Sequence, residues 1–364
     1  MKNIILVFGT RPEAIKMCPL VTELKNRKEF CVRVLVTGQH REMLSSVLSF
    51  FGIVPDFDLS VMSEGQTLFD ITEKVMRGMR EILEKEKCDL LLVHGDTTTA
   101  FAASLAAFYL RIPVGHVEAG LRTYNINAPY PEEFNRVAVD SIASCHFAPT
   151  KLSADRLIAE GRRRESVFVT GNTVIDALRY TVREDFSSPA LDFAKGRRMV
   201  LLTSHRRENL GEHMEGMFAA IKEVLLSHPD VCVLYPVHPN PAVRDVAQAA
   251  FADFPQVNLT EPLDVFDFHN IMARAYLVLS DSGGVQEEAP AFGVPVLVMR
   301  ETTERPEGVE AGTVRLIGNT YASVKEGFAA LLDDTSLYES MAHAKNPYGD
   351  GTACKKIADI IENM

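Results

Sequence analysis

The sequence predicts an α/β protein built from two doubly wound parallel sheets, each Rossmann-like. Three observations predict this. Short apolar runs alternate with helical stretches along the whole chain. The runs are continuously apolar instead of alternately apolar and polar, as expected for strands covered by helices on both faces. The rhythm pauses once over a polar stretch and then restarts, and 364 residues exceed what one ordinary core organises.

Taken in order, Ile4 to Phe8 (IILVF) is the first strand, followed by a helical stretch from Ala14. Val32 to Thr37 (VRVLVT) is the second, with a helix from Arg41. Leu90 to Gly95 (LLLVHG) leads into a small-residue helix, TTTAFAASLAAFYL, and VGHVEAG, CHFAPT and VFVTGN follow as strands. Arg179 to Arg198 is polar and carries a Ser-Ser-Pro break, so the domain linker is expected there or just before it, near Asn172. The rhythm resumes with MVLLTS, VCVLYPVH, QVNLTE, YLVLSD, VPVLVM and TVRLIG. The expected domains are 1–172 and 173–347. The closing stretch, about 348–364, reads as helical and either ends the second domain or packs back on the first.

Composition excludes several classes. Apolar residues make up 46% and charged residues 24%, which is globular and not disordered. A net charge of -11 disfavours a nucleic-acid partner, while a pocket for a small anion needs only a few local cations. The six cysteines (Cys18, Cys31, Cys88, Cys145, Cys232, Cys354) form no Cys-x-x-Cys pair, which predicts a reduced, cytoplasmic protein without structural zinc. The N-terminal segment enters a strand directly and has no signal-peptide pattern. No apolar run reaches about 18 residues, so no membrane span is expected.

In doubly wound sheets ligands bind beyond the carboxyl ends of the strands, so the residues after each strand carry the function. FGTRPEAIK offers Arg11 and Lys16 beside a glycine turn; it is not Gly-x-Gly-x-x-Gly, so a nicotinamide fingerprint is absent. The same residues also read as a helix start, with Pro12 at the first positions and Glu13 near the positive end. HGDTTTA places Asp96 where either a helix cap or a functional carboxylate fits. HVEAGLRT ends a strand with His116 and Glu118; a buried carboxylate there must be paired or functional, and Arg122 is the nearby candidate partner. PYPEEFNR supplies Glu132, Glu133 and Arg136 at a helix start. TSHRRENLGE brings His205, Arg206 and Arg207, groups suited to phosphate. His205 with His213 lacks a third metal ligand. YPVHPNP presents His238, readable as a satisfied structural histidine. In DSGGVQEEAPAFGVPVLVM, Ser282, Gly283 and Gly284 open a helix and suit an anion on backbone amides. Glu287 and Glu288 cannot both face that anion, and a ribose diol is the natural partner for one of them.

Together these stretches resemble the non-hydrolysing UDP-N-acetylglucosamine 2-epimerases of bacteria. The resemblance runs nearly end to end, through FGTRPEAIKM, HGDTTTA, HVEAGLRT, PEEFNR, TGNTVIDAL, TSHRREN and DSGGVQEEAPAFGVPVLVMRETTERPE. It implies the GT-B fold, two Rossmann-like domains facing a cleft that holds the ligand, and a homodimer as the partner expectation. It implies interconversion of UDP-GlcNAc and UDP-ManNAc, supplying ManNAc units for surface polysaccharide, with no cofactor and no metal. Arg11, Lys16, Asp96, Glu118 and Glu132 would line the sugar side. His205, Ser282, Gly283, Gly284 and Arg305 would serve the diphosphate. Glu288 would hold the ribose, and the backbone around Phe268 would meet uracil. EPLDVFDF has Leu263 where relatives often have glutamine, a departure at one nucleotide contact. Relatives also bind a second UDP-GlcNAc as activator, which the resemblance maps to Gln39, His40, Glu132, Arg206 and His238. There this chain has Glu42 and Gly65 in place of glutamine and arginine, a change that weakens a diphosphate site.

The implied chemistry is elimination and re-addition. The hydrogen on C2 is not next to a carbonyl and is a poor acid. Breaking the C1–O bond to UDP first, then removing the C2 proton, gives 2-acetamidoglucal. Asp96, Glu118, Glu132 and His205 are the catalytic candidates. The competing readings are a hydrolysing epimerase that releases UDP and ManNAc, a GT-B glycosyltransferase using UDP-GlcNAc, and a catalytically silent UDP-sugar sensor.

Overall fold

The computed structural model describes residues 1–38, 41–63, 65–206 and 209–364, with the side chains of residues 41–43 outside the description. Gln39, His40 and Arg207, and the side chain of Glu42, therefore lie outside the described residues. The chain divides into two compact units, Met1–Ala177 with Tyr348–Met364, and Leu178–Pro347.

The first unit holds a sheet of β1 (Lys2–Phe8), β2 (Phe30–Val36), β3 (Phe57–Asp58), β4 (Leu90–His94), β5 (Val114–Val117), β6 (Cys145–Ala148) and β7 (Val167–Val169). Its order is β3-β2-β1-β4-β5-β6-β7, and every pairing is parallel. The continuous apolar pattern of β1 has a direct packing cause. Ile4, Leu6 and Phe8 enter one core, with helix Arg11–Lys25 and the C-terminal helix Ala353–Glu362. Ile5 and Val7 enter the opposite core, with helices Leu68–Leu83 and Thr98–Tyr109. A strand buried on both faces cannot alternate, because successive side chains point to opposite cores.

The second unit repeats the plan with β8 (Arg198–Thr203), β9 (Val231–Pro236), β10 (Val257–Thr260), β11 (Leu277–Ser280), β12 (Val296–Val298) and β13 (Val314–Leu316). The order is β10-β9-β8-β11-β12-β13, again parallel. Val200 and Leu202 of β8 face one core, Met199 and Leu201 the other. The expected pair of doubly wound parallel α/β units is what the structure shows.

Local chemistry explains where the elements differ from expectation. The first helix begins at Arg11, not Ala14, because Thr10 and Glu13 close a capping box around Pro12 in the first turn. Edge strand β3 and helix Leu68–Leu83 were not anticipated; β3 has only two residues and carries no pattern. The polar stretch Arg179 to Arg198 is not bare linker. It contains helix Pro189–Ala194, whose Ala190 and Ala194 enter the core of the second unit. The last helix starts at Ala353, and its first amides, from Ala353 and Cys354, donate to the Asp176 carboxylate at 3.0 and 2.9 Å. A carboxylate from a distant segment thus supplies the N-terminal partner that Thr352 does not.

Candidate active site

In each sheet the strand order reverses at one point, between β1 and β4 in the first unit and between β8 and β11 in the second. At a switch point the loops leaving two adjacent strands diverge and open a crevice at their carboxyl ends. The loops after these strands and their neighbours carry most of the sequence-predicted site residues, and each is described within its own unit.

In the first unit Gly9 follows β1. A Cβ there would lie 2.1 Å from Thr37 Oγ1 and 2.7 Å from Thr99 Oγ1, so only glycine fits. Glu13 is buried and stitches the site together. It accepts from the Gly9 and Thr10 amides at 3.0 and 2.8 Å, and from Thr97 Oγ1 at 2.7 Å across the loop after β4. Burial pushes its carboxyl up, against the lowering effect of those hydrogen bonds. Lys16, one turn into the same helix, is ion-paired with Glu118 Oε2.

Glu118 follows β5 with φ +64°, a left-handed conformation that a non-glycine residue holds only where its surroundings force it. Its Oε2 also accepts from Asn172 Nδ2 at 2.8 Å. His94, the last residue of β4, is buried with Nε2 3.6 Å from the same oxygen and with no hydrogen-bond partner there among the described residues. Burial drives the His94 pKa down to about 3; the Glu118 charge opposes this, and Lys16 and His116 reinforce it. Lys16, Glu118, His94 and Asn172 are therefore one cluster. Arg122 is not the partner of Glu118. It lies in a buried ionic chain with Asp140 (2.8 Å) and Glu160 (2.6 Å).

That chain braces the site from beneath. His116 Nδ1 meets Asp140 Oδ1 at 2.6 Å, and its Nε2 meets the Gly95 carbonyl at 2.7 Å, in the turn that carries Asp96. The Gly120 amide, just beyond Glu118, donates to Asp140 Oδ2 at 3.3 Å. Burial pushes the Asp140 carboxyl up, but the charge and hydrogen bond of His116 and the charge of Arg122 outweigh it and hold the group at about 2. Asp96 is ion-paired with Arg136, and Asn135 Nδ2 donates to the Asp96 carbonyl at 2.9 Å. The helix cap here is Thr97, not Asp96. Glu133 is buried and accepts from the Thr123 and Tyr124 amides at 3.1 and 2.9 Å, whereas Glu132 stands half-buried at the first position of the helix Glu132–Ile142. Arg11 is likewise half-buried at the start of its helix.

In the second unit the loops after β8 and β11 meet through Asp281. Its buried carboxylate accepts from Ser204 Oγ, the His205 and Arg206 amides and Asn209 Nδ2, each at 3.0 Å. His205 stacks on the exposed His238, ring centroids 5.4 Å apart and planes 12° from parallel. Burial lowers the His205 pKa; Asp281 opposes this, and His238 and Arg206 add to it. Arg206 Nη2 reaches Glu304 Oε1 at 3.4 Å.

The glycine turn differs in detail from expectation. The Ser282 amide donates to Ser280 Oγ at 2.9 Å, so it is already used. The helix that follows is one turn, Val285–Glu288, continued by a 3-10 turn. Gly283 has an internal reason to be glycine: a Cβ would lie 2.6 Å from Arg305 Nη1 and 3.0 Å from Glu304 Oε1. The two glutamates divide as charge requires. Glu287 is buried and bonded to Arg305 Nε at 2.5 Å, while Glu288 is half-buried with Oε2 3.6 Å from His269 Nε2. Around Phe268 the amides are spent. Phe266 and Asp267 donate to the Asp264 carboxylate at 2.8 Å, and Phe268 donates to the Asp264 carbonyl at 3.0 Å. Leu263 packs against the core of its unit, as does the ring of Phe268.

The sequence reading passed over His94, Asn172 and Asp281, although each stood inside a quoted motif. The available signal was a polar side chain at the end of an apolar strand or directly after it. Among the described residues no group of three or more His, Cys, Asp or Glu is placed to hold a metal ion. No described helix is long and apolar enough to cross a membrane.

Comparison with known proteins fits this arrangement. A family model described as UDP-N-acetylglucosamine 2-epimerase matches residues 22–362. The UDP-N-acetylglucosamine 2-epimerase of Bacillus subtilis (strain 168) is 55% identical over 359 residues, 99% of this chain and 94% of that protein. The crystal structure of a putative UDP-N-acetylglucosamine 2-epimerase from Listeria monocytogenes is 50% identical, with a TM-score of 0.95 over 100% of this chain and 96% of that one. The UDP-GlcNAc 2-epimerase from Neisseria meningitidis, solved bound to UDP-GlcNAc, is 44% identical, with a TM-score of 0.90 and full coverage of both chains (100% and 100%). The chain belongs to the UDP-N-acetylglucosamine 2-epimerase family.

Proposed function

We propose that this chain reversibly interconverts UDP-GlcNAc and UDP-ManNAc by eliminating UDP to 2-acetamidoglucal and adding it back. The observation that carries the reading is that each unit carries its own charged cluster, one suited to moving protons and one suited to holding an anion. Lys16, Glu118 and Asn172 gather at the first switch point, and His205, Arg206 and Arg305 at the second. The nucleotide relatives named above supply the substrate class.

The second unit handles the leaving group. As the C1–O bond breaks, UDP takes the electron pair, and negative charge grows on the diphosphate. His205, Arg206 and Arg305, with the Gly283 and Gly284 backbone, stabilise that charge. The half-buried carboxylate of Glu288 takes the ribose hydroxyls. Uracil rests against the Phe268 side of its helix through groups other than the amides already held by Asp264.

The first unit handles the sugar. Asp96, Glu118 and Glu132 stabilise the oxocarbenium character at C1 and remove the C2 proton, and one of them returns a proton on the opposite face. Arg11 and Lys16 are further sugar-side contacts. Lys16 is also ion-paired with Glu118, one of the carboxylates proposed to handle the proton. The reaction needs no redox partner, since the proton removed from C2 is replaced by another at the same carbon.

Proton NMR of the enzyme with UDP-GlcNAc in D2O, without acceptor, tests this. UDP-ManNAc carrying deuterium at C2 supports the reading. Accumulating UDP and free ManNAc would indicate a hydrolase, and an unchanged but bound ligand a transferase or sensor. The assembly proposed is a homodimer; Phe69, Ile126, Tyr130 and Phe134 are exposed apolar side chains on the first unit suited to such a contact, and light scattering checks it. Activation by a second UDP-GlcNAc is expected to be weak, given Glu42 and Gly65. Strongly sigmoidal, activator-dependent kinetics would count against that expectation.

A further inference from the structure

One heavily bonded buried charge in the second unit has no role in the proposed reaction. Asp281 is fully buried, and a buried carboxylate is costly unless its oxygens are satisfied. Its two oxygens are used very differently. Oδ2 accepts from four donors of the loop after β8, namely Ser204 Oγ, the amides of His205 and Arg206, and Asn209 Nδ2, each at 3.0 Å. That oxygen anchors the loop. Among the described residues Oδ1 takes only the longer His205 amide contact, 3.2 Å, and lies 3.5 Å from His205 Nδ1. The His205 ring also stacks on His238, centroids 5.4 Å apart, which limits the room in which it can turn.

We propose that Asp281 is a positioning residue, forming with His205 a dyad in which Oδ1 holds the Nδ1–H and leaves Nε2 to meet the departing diphosphate. A neutral imidazole carries one N–H, and the nitrogen that faces a carboxylate keeps it. Oδ1 carries a single, longer loop contact among the described residues, and the ring lies beside His238, so the dyad can shorten when a ligand presses on Nε2. When the diphosphate binds, Nε2 takes a proton from solvent water, and the resulting imidazolium donates it to the departing oxygen while the carboxylate stabilises the positive ring; Asp281 gains no proton and touches no substrate. Asparagine at this position would present its own N–H groups to a set of donors, which accounts for a carboxylate over an amide. This inference rests on the proposed role of His205 at the diphosphate.

The test has two independent arms. Nitrogen-15 NMR of histidine-labelled wild-type enzyme, with His205→Asn assigning the signal, reads which ring nitrogen is protonated. An Nδ1–H tautomer at His205 is expected, and an Nε2–H tautomer overturns the dyad whether or not the enzyme turns over UDP-GlcNAc. The second arm is a double-mutant cycle on kcat. Asp281→Asn is expected to lower kcat roughly 30-fold with KM within about threefold, and to add less than about twofold in the His205→Asn background. Ser204→Ala, which removes a loop donor to Oδ2 alone, is expected to cost less than about threefold. Additive losses, or Ser204→Ala matching the Asp281→Asn loss, would show that Asp281 only organises the loop. If Asp281→Asn does not fold, the wild-type tautomer decides. If wild type has no epimerase activity, the proposed function fails while the tautomer still tests the dyad.

Discussion

Asp140→Asn probes the buried chain beneath the first-unit site. The wild-type carboxylate faces His116 Nδ1 at 2.6 Å, Arg122 Nη2 at 2.8 Å and the Gly120 amide at 3.3 Å. Removing one partner from a buried ion pair costs about 3 to 5 kcal/mol. The low end applies, because Arg122 keeps Glu160 at 2.8 and 2.6 Å. An independent figure agrees. A carboxyl held at about 2 instead of its ordinary 3.8 is favoured in its ionised form by roughly 2 kcal/mol. The expected loss at pH 7 is about 3 kcal/mol, or a melting temperature lower by about 6 to 12 °C for a domain of this size. The sign of the pH dependence follows from the depressed value. The contribution is fully present above the unfolded pKa and is lost as pH falls from 3.8 toward about 2. Urea unfolding of wild type and variant at pH 7, 5 and 3.5 measures both effects, and the gap between them is expected to narrow at the lowest pH. A gap below about 1 kcal/mol at pH 7, or one that stays constant with pH, would refute the reasoning.

Three further outcomes are expected. Lys16→Met removes the cation on Glu118 and should lower kcat about 100-fold with an intact fold by circular dichroism; a loss confined to KM would place Lys16 in binding only. Gly283→Ala drives a methyl group into the Arg305 guanidinium, 2.6 Å away, and should raise the Kd for UDP about tenfold by calorimetry, with little change if Arg305 has no part in binding. Glu304 sits among Arg206, Arg300 and Arg305. Burial pushes its carboxyl up, but the Arg305 and Arg300 charges hold it at about 2. Glu304→Ala releases those cations and should tighten UDP binding by about threefold to tenfold, with weaker binding showing instead that Glu304 organises the arginines.

Much of the site was legible because strand ends in a doubly wound sheet are also the ends of apolar runs. Glu118, Asp96, His205 and the Ser282 to Gly284 turn each stand just after such a run. The mistaken partner of Glu118 shows where this reading stops. Arg122 is four residues away in sequence, but a left-handed turn at Glu118 sends the two side chains to different neighbours. Lys16, which is 102 positions distant, arrives instead because only β4 separates β1 from β5 in the sheet. Similarly, the sequence requires that Glu287 and Glu288 diverge. Only packing against Arg305 selects Glu287 as the buried member. Asp281 read as part of a glycine turn; its weight comes from a loop some 75 residues earlier that β8 sets beside β11.

What the sequence alone determined are the properties carried by neighbours in the chain. These are the strand and helix periods, the caps, the glycine turns and the kinds of charge placed at each strand end. Tertiary structure decided which charge meets which, which glutamate is buried, and which oxygen of Asp281 is left for a histidine. The physical reason is range. Backbone propensity acts over a few residues, whereas the energy of an ion pair depends on separation and burial, and both are fixed only when distant strands take their places in a sheet.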